Sequence, residues 1–393
     1  MKRREFIKNT GIITAGSLLI PSFLRAEMFG GNDLGITKKR LVIIQLSGGN
    51  DGLNTFVPYG LDEYYNNRTA INLASDNLLK LTNKFGLHPS LTNFQKFYDK
   101  GYLSILNSVG YPNPSRSHFR SMDIWHTASD TNEYLNTGWI GRYLDNNCQH
   151  AYEAVELNGK LSLALKGENL SGIALTNPQA FYNSIHSDFY ETLEAPETHN
   201  NELQFLYKTF QETKDSAAYI FEKYKLKENR KEYDGLQFGQ KLKQISTLIH
   251  NGIDTPVFYA ELSGFDTHVN QNAVHERLLQ QLNDGLGSFV DDLEENDTLK
   301  DTTILVFSEF GRRLKENASR GTDHGAANVS FIIDTQLKKE AHSYHEIDLN
   351  ELNDGDPIHK IDFRSIYQEI LSETIGVNPQ TILKKEYAKL NLF

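Results

Sequence analysis

A single cysteine, Cys148, stands in the 393 residues. It cannot form an internal disulfide, and it excludes thiolate-rich zinc sites, so any metal held by this chain must be bound through oxygen and nitrogen. Cys148 itself reads as a small apolar residue, not a nucleophile. Proline is also scarce, at 10 residues. No Pro-rich or Gly/Ser-rich linker, low-complexity tract or fixed-period repeat divides the chain. That favours one large α/β domain, or one domain with a cap, over a string of modules. Positive charge is short as well: 40 Lys and Arg face 51 Asp and Glu, a formal net charge of −11. Such a surface excludes nucleic acid and anionic membrane as partners. An anionic substrate would need a local positive charge, and a metal ion is one source. Aromatic side chains are plentiful, with 22 Phe and 19 Tyr, which argues against disorder.

The amino-terminus is basic, with Lys2, Arg3, Arg4 and Lys8, and is followed by an uncharged apolar run over residues 10–24. That run is short of the roughly 20 residues a membrane span requires, and small residues near Ala26 offer a cleavage site. Arg3-Arg4 followed by Phe6, Ile7 and Lys8 is similar to the twin-arginine signal, which exports proteins already folded. An ordinary secretory signal or an uncleaved anchor is the alternative. Residues 1–26 are therefore expected to be a signal peptide, with residues 27–393 exported to the periplasm or cell surface and no transmembrane segment left once the signal is removed. Without residues 1–26, which hold five Lys/Arg and one Glu, the formal charge becomes −15.

The run Leu41-Val42-Ile43-Ile44-Gln45-Leu46 predicts a strand buried on both faces, as in a parallel sheet. Ser47-Gly48-Gly49-Asn50-Asp51-Gly52 follows as a turn, which puts Asp51 where such sheets place ligands, beyond the carboxyl end of a strand. A helix is expected after His88-Pro89-Ser90, with Leu91, Phe94, Phe97 and Tyr98 on one face, then a strand over residues 103–109 and a helix from Arg116 onward. Residues 190–250 read as a helical insertion. Strands return at residues 256–262, 302–307 and 329–333, with a long helix over 274–292 and a last helix over 363–375. The fold class expected is α/β, with a mostly parallel central sheet flanked by helices.

Four of these strands are followed or preceded at once by acids and histidines: Asp51, then Asp266 with His268, then Glu309, then Asp323 with His324. Singly, each is a turn residue or helix cap. Gathered at one sheet edge, they would repel or desolvate one another unless a cation held them. Asp266 and His268 are two apart, so on an extended segment they point to the same side. The mixture of carboxylate and imidazole suits zinc, manganese or iron better than calcium.

Seven motifs, Ser-Gly-Gly-Asn-Asp-Gly (47–52), Gly-Leu-His-Pro-Ser-Leu (86–91), Ser-Arg-Ser-His-Phe (115–119), Gly-Trp-Ile-Gly-Arg (138–142), Gly-Phe-Asp-Thr-His (264–268), Ser-Glu-Phe-Gly-Arg (308–312) and Gly-Thr-Asp-His-Gly (321–325), together resemble the motif set of the bacterial DUF1501 family. That family is grouped with the alkaline phosphatase-like superfamily of phosphatases, sulfatases and mutases. The resemblance implies an alkaline phosphatase/sulfatase-like fold. It implies a metal at Asp51, with Glu309 bridging to it, another metal at Asp266 and His268, and a final metal histidine at His324. It implies a nucleophile near Ser115-Arg116-Ser117. Ser117, in the first turn of a helix, is preferred over Ser115, although both could be helix caps. His118 is left open as base, ligand or packed residue. Arg116 and Arg312 are candidates to clamp a tetrahedral anion, or to pair with carboxylates. Two departures stand out. Glu309-Phe310 replaces the Asp-His common in the superfamily, and Pro112 occupies the place of the sulfatases' modified cysteine. The function expected is an exported metal-dependent hydrolase of phosphate- or sulfate-like esters, acting on a small molecule or polymer. The alternative is an inactive, metal-stabilised envelope protein.

Overall fold

Leu41, Val42, Ile43, Ile44 and Leu46 leave strand β1 (Arg40–Ser47) no polar face. Val42, Ile44 and Leu46 enter one hydrophobic core, while Leu41 and Ile43 enter the core on the opposite side, as alternation along a strand requires. A strand of this kind belongs in the middle of a sheet with both faces covered, and β1 lies there. The computed structural model describes residues 39–187, 201–341, 343–344 and 347–393. The expected signal segment, residues 1–26, lies outside them.

The other strands that matter are β2 (Leu103–Gly110), β3 (Ala154–Glu156), β4 (Ile173–Ala174), β5 (Val257–Ser263), β6 (Thr302–Phe307), β7 (Arg312–Glu316), β8 (Thr322–His324), β9 (Asn328–Ile333), β10 (Ser343–Tyr344) and β11 (Ile361–Asp362). The main sheet runs β10-β2-β9-β6-β1-β5-β3-β4, with β11 also paired to β2. Every pairing in it is parallel except the two made by β9, which runs against both β2 and β6. β7 and β8 form a separate antiparallel pair, and their charged sequences gave no strand signal.

Helices cover both faces: α1 (Thr92–Asp99), α2 (His118–Thr127), α3 (Trp139–Asn147), α4 (Asn201–Lys225), α5 (Gln237–His250), α6 (Gln271–Glu295) and α7 (Phe363–Glu369). α1, α4, α5 and α6 send Phe94, Ile220, Leu242 and Leu282 into one core. α2, α3 and α7 send Trp125, Ile140 and Ile366 into the other. Trp125 is stacked between Phe307 of β6 and Phe363 of α7, with ring centroids 4.6 and 4.2 Å away. α4 and α5 lie in the stretch expected as a helical insertion. The last helix widens to a π-helical turn over Ile370–Ile375. This is the mixed α/β architecture, mostly parallel and flanked by helices, that the apolar runs predict.

The parallel order sets the site. The carboxyl ends of β1, β5 and β6 share one edge. Because β9 is reversed, its first residue, Asn328, reaches that same edge opposite Val109 at the end of β2.

Three histidines are locked into the interior as neutral rings. Burial pushes His88 down to about 3, and His126 and His275 down to about 4. His275 Nε2 lies 2.9 Å from Asn50 Oδ1, which can only accept, so the nitrogen donates. Groups with depressed folded values leave stability intact above the ordinary histidine range, near 6.5, and remove it as pH falls toward 4. Each contributes a slope of up to about 1.4 kcal/mol per pH unit in that window. Equilibrium unfolding should therefore show a steep loss of stability between pH 6.5 and 4.5, with a shallower slope in His275→Gln. Equal slopes in the two proteins would contradict this.

Candidate metal centre

Three imidazole nitrogens and one carboxylate converge at the shared edge. His268 Nε2 lies 2.9 Å from His324 Nε2, and His118 Nε2 lies 3.1 Å from the same atom. Asp266 Oδ1 is 2.9 Å from His268 Nε2 and 3.3 Å from His324 Nε2, and Asp266 Oδ2 is 3.6 Å from His118 Nε2. Asp266 and His268 sit in the loop after β5, His324 ends β8, and His118 opens α2.

The proton positions follow from the partners. His324 Nδ1 is 2.8 Å from the carbonyl oxygen of Arg116, which can only accept. His118 Nδ1 is 2.8 Å from Glu309 Oε1, and His268 Nδ1 is 3.4 Å from Asp323 Oδ1. Each ring thus has an oxygen acceptor on its Nδ1 side, and in the neutral tautomer this fixes turns its Nε2 lone pair inward. The His324 lone pair meets the other two at about 3 Å and is repelled by both, and a cation between them removes that repulsion. The chemistry fits a metal geometrically too. A tetrahedral ion with ligands at about 2.0–2.1 Å has ligand-to-ligand edges of roughly 3.3 Å, and the five contacts that His324 and Asp266 make with each other and with His118 and His268 run from 2.9 to 3.6 Å. The ligand atoms of His118, Asp266 and His324 lie mutually within 4.8 Å, and His268 joins this trio only through His324 and Asp266.

Neighbouring groups set the charge of His118 and Asp266 in the absence of an ion. The bond to Glu309 holds His118 above the ordinary histidine range, against a smaller opposing effect of burial. Partial burial pushes the Asp266 carboxyl up, but the bond and charge of Arg312 override it and hold the group low. The centre opens on one side: the side chain of Asp266 is 47% exposed and that of His268 39%, against 23% for His324.

The remaining site candidates stand around this centre in other roles. Asp51, expected at the metal, is fully buried and turned into the protein. Oδ2 accepts from Arg68 Nη1 at 2.6 Å and from Gln271 Nε2 at 2.5 Å, and Oδ1 accepts from the Leu53 amide at 3.2 Å. With both oxygens taken, it serves as cap and ion-pair partner. Glu309, expected to bridge to that metal, stands one layer behind: Oε1 receives His118 Nδ1 and the Gly48 amide, and Oε2 receives the Ser308 hydroxyl. Asp323 backs His268. Arg312, a candidate anion clamp, is 1% exposed. Its guanidinium is spent on the carbonyls of Gly48, Gly49, Phe265 and Thr322 and on Asp266 Oδ1. It clasps three loops together. Arg116 pairs with Asp354 and Asp356. Ser115 Oγ accepts from the Ser117 amide at 3.2 Å, while Ser117, at the N-cap of α2, is exposed and its hydroxyl caps no amide. Cys148 is half-buried at the end of α3.

Phe310 forms a wall of the cluster. Its ring is buried 4.8 Å from the His118 ring and 4.9 Å from the His324 ring. A Cβ on Gly49, at φ +72°, would lie 2.3 Å from that ring, and one on Gly48, at φ +118°, would lie 2.4 Å from the Asp266 amide. Both glycines are therefore needed for the close approach of these loops.

A profile of the family described as protein of unknown function, DUF1501, matches residues 102–339. That span holds every side chain of the cluster. The chain belongs to the DUF1501 family. No curated protein matches it in sequence. Among solved structures, this family member is similar to the C-terminal periplasmic domain of EcEptC from Escherichia coli in complex with Zn. The identity is 10%, coverage is 91% of this chain and 92% of that one, and the TM-score is 0.40. A protein in the alkaline phosphatase superfamily from Vibrio parahaemolyticus gives 12% identity, 89% and 71% coverage and a TM-score of 0.42. The lipoteichoic acid synthase LtaP from Listeria monocytogenes gives 10%, 87% and 72%, and 0.38. Among the described residues, no helix is long and apolar enough to cross a membrane.

Proposed function

We propose that this DUF1501 protein is an exported metal-dependent hydrolase of phosphate- or sulfate-like esters, working from one metal held by His118, Asp266, His268 and His324. The observation that carries the reading is the convergence of three Nε2 atoms and one carboxylate, each imidazole backed by an oxygen acceptor. Three imidazoles favour zinc or manganese over calcium. A bound divalent ion would supply Lewis-acid polarisation of an ester oxygen. Arg312 and Gly48 keep the loop of Asp266 in place, and Glu309 and the Arg116 carbonyl fix the tautomers of His118 and His324. Ser117 is the candidate nucleophile. It is exposed, its hydroxyl is not used in capping, and it precedes His118 at the amino-terminus of α2, where backbone amides favour an anion. The twin-arginine-like residues Arg3 and Arg4 support export, and the negative net charge argues against nucleic acid as substrate.

A second reading is favoured by one observation. Four protein side chains gather at the centre, the ligand count of structural metal sites, and the Phe310 ring lies against His118 and His324 on one side of it. On that reading the metal stabilises an inactive envelope protein.

The test is turnover of aryl phosphate and aryl sulfate esters by the metal-loaded mature chain, beside Ser117→Ala. The hydrolase reading expects turnover that falls at least 100-fold in Ser117→Ala with metal content unchanged. A metal-loaded chain that turns over neither ester would favour the structural reading.

A further inference from the structure

A cleft of about 570 Å³ opens beside the metal centre, within the range of roughly 300–1,000 Å³ that small-molecule sites occupy. His118, Asp266 and Glu309 border it at one end. From there it runs across the carboxyl ends of β1 and β5 to the loop after β3.

Its lining decides what class of molecule it suits. Lys160 is the one lysine or arginine among its lining residues, with His118 at the end next to the cluster, against the carboxylates of Asp123 and Glu261 and the buried Glu156. A polyanion would be repelled over most of its length. Asn158 and the Ser162 amide occupy both oxygens of Glu156, at 2.8 and 2.7 Å, so that carboxylate shapes the wall and is not offered to a ligand. Ser47 and Ser263 also line the cleft, together with apolar Leu161 and Leu163. Phe119, next to His118 on α2, lines it with 87% of its surface exposed. Leaving a phenyl ring in water is unfavourable by about 25 cal/mol per Å², and a ligand that covers it recovers that free energy. Polyols present hydroxyls that donate to carboxylates and accept from serine or lysine, together with an apolar C–H face that lies on an aromatic ring. A simple cation would use the carboxylates but not Lys160, and a polyanion would use Lys160 only.

We propose that this cleft is a carbohydrate subsite, in which Phe119 stacks under a sugar ring and Asp123, Glu261 and Ser263 take its hydroxyls. This rests on the hydrolase reading for the ester that the sugar would carry, but sugar binding itself needs no turnover.

The test uses the metal-loaded mature chain on an array of neutral oligosaccharides (gluco-, xylo-, manno-, galacto- and N-acetylglucosamine hexamers), with choline and heparin as cationic and polyanionic controls. Metal content is measured on the same samples. The expected result is binding of at least one neutral hexamer, weakened tenfold or more by Phe119→Ala and by Glu261→Gln at unchanged metal content and unfolding temperature. No neutral hexamer bound, selective binding of choline or heparin, or variants that bind as well as the parent would each overturn it. Hexamer binding without ester turnover would sink the hydrolase reading and leave the subsite standing.

Discussion

His324→Ala should abolish metal binding while leaving the metal-free protein no less stable than the parent, whereas Asp266→Ala should abolish metal binding and lower stability, because it strips the buried Arg312 guanidinium of its carboxylate partner. His324 Nε2 is the atom that the other two imidazoles approach most closely, at 2.9 and 3.1 Å. In the absence of a cation it contributes mainly repulsion. Its ring is partly exposed, so its removal opens no core cavity of the kind that makes large-to-small changes expensive. With zinc at 100 times its dissociation constant, the parent gains about 2.7 kcal/mol and the variant gains nothing. The check is thermal or denaturant unfolding of both proteins with zinc and with a chelator. A zinc-dependent gain of equal size in both would contradict the four-ligand assignment. Glu309→Gln, which touches the site only through His118 and Gly48, should keep the metal with affinity lowered about 10- to 100-fold, the range for loss of a supporting partner.

Arg68→Ala should destabilise the fold by about 3–5 kcal/mol and leave the metal stoichiometry unchanged. Arg68 and Asp51 form an ion pair at 2.6 Å with both side chains fully buried. Arg68 also holds the Asn54 side chain and the carbonyls of Arg313 and Leu314. Removing the guanidinium leaves the Asp51 carboxylate unpaired in the interior, the situation in which breaking a buried pair is most damaging. Burial would raise the Asp51 carboxyl, but Arg68 overrides that and holds it below the usual carboxylate range. The stability it contributes is therefore present above about pH 4 and is lost as pH falls through its lower folded value. Asp51→Asn should show the same separation, with lower stability and full metal content. The opposite outcome, metal lost from Asp51→Asn with stability intact, would return Asp51 to the ligand set.

The contrast between Asp51 and Asp266 shows what the sequence can and cannot convey. Both follow an apolar strand in a Gly-rich turn, and strand length and position place both at the same sheet edge. Which way each carboxylate turns depends on partners far away in sequence. Arg68 is a lone arginine in a polar stretch, and Gln271 is one polar residue at the start of a helix, so neither gave a signal. Glu309 is similar: its place behind His118 is set by the Gly48 amide and the Ser308 hydroxyl. His118 was legible through its motif and its place at a helix start, but its contacts with Glu309 and His324 depend on the direction of the helix toward the β6 loop. The strands themselves were legible because buried parallel strands are apolar on both faces. The reversal of β9 was not, since periodicity carries no direction. That reversal brings His324, which precedes its strand, to the edge reached by residues that follow theirs. The β7–β8 pair was missed because Arg312–Glu316 and Thr322–His324 are polar, and backbone pairing, not an apolar face, defines them.

The most direct test of the metal centre is elemental analysis of the mature chain together with X-ray absorption at the edge of the metal found. One equivalent of zinc or manganese is expected, with a nearest shell of nitrogen and oxygen, at about 2.0–2.1 Å for zinc, and outer-shell scattering from three imidazoles that diminishes in His324→Ala. No metal after reconstitution, or one bound equally well by a chain lacking Asp266 and His268, would contradict it.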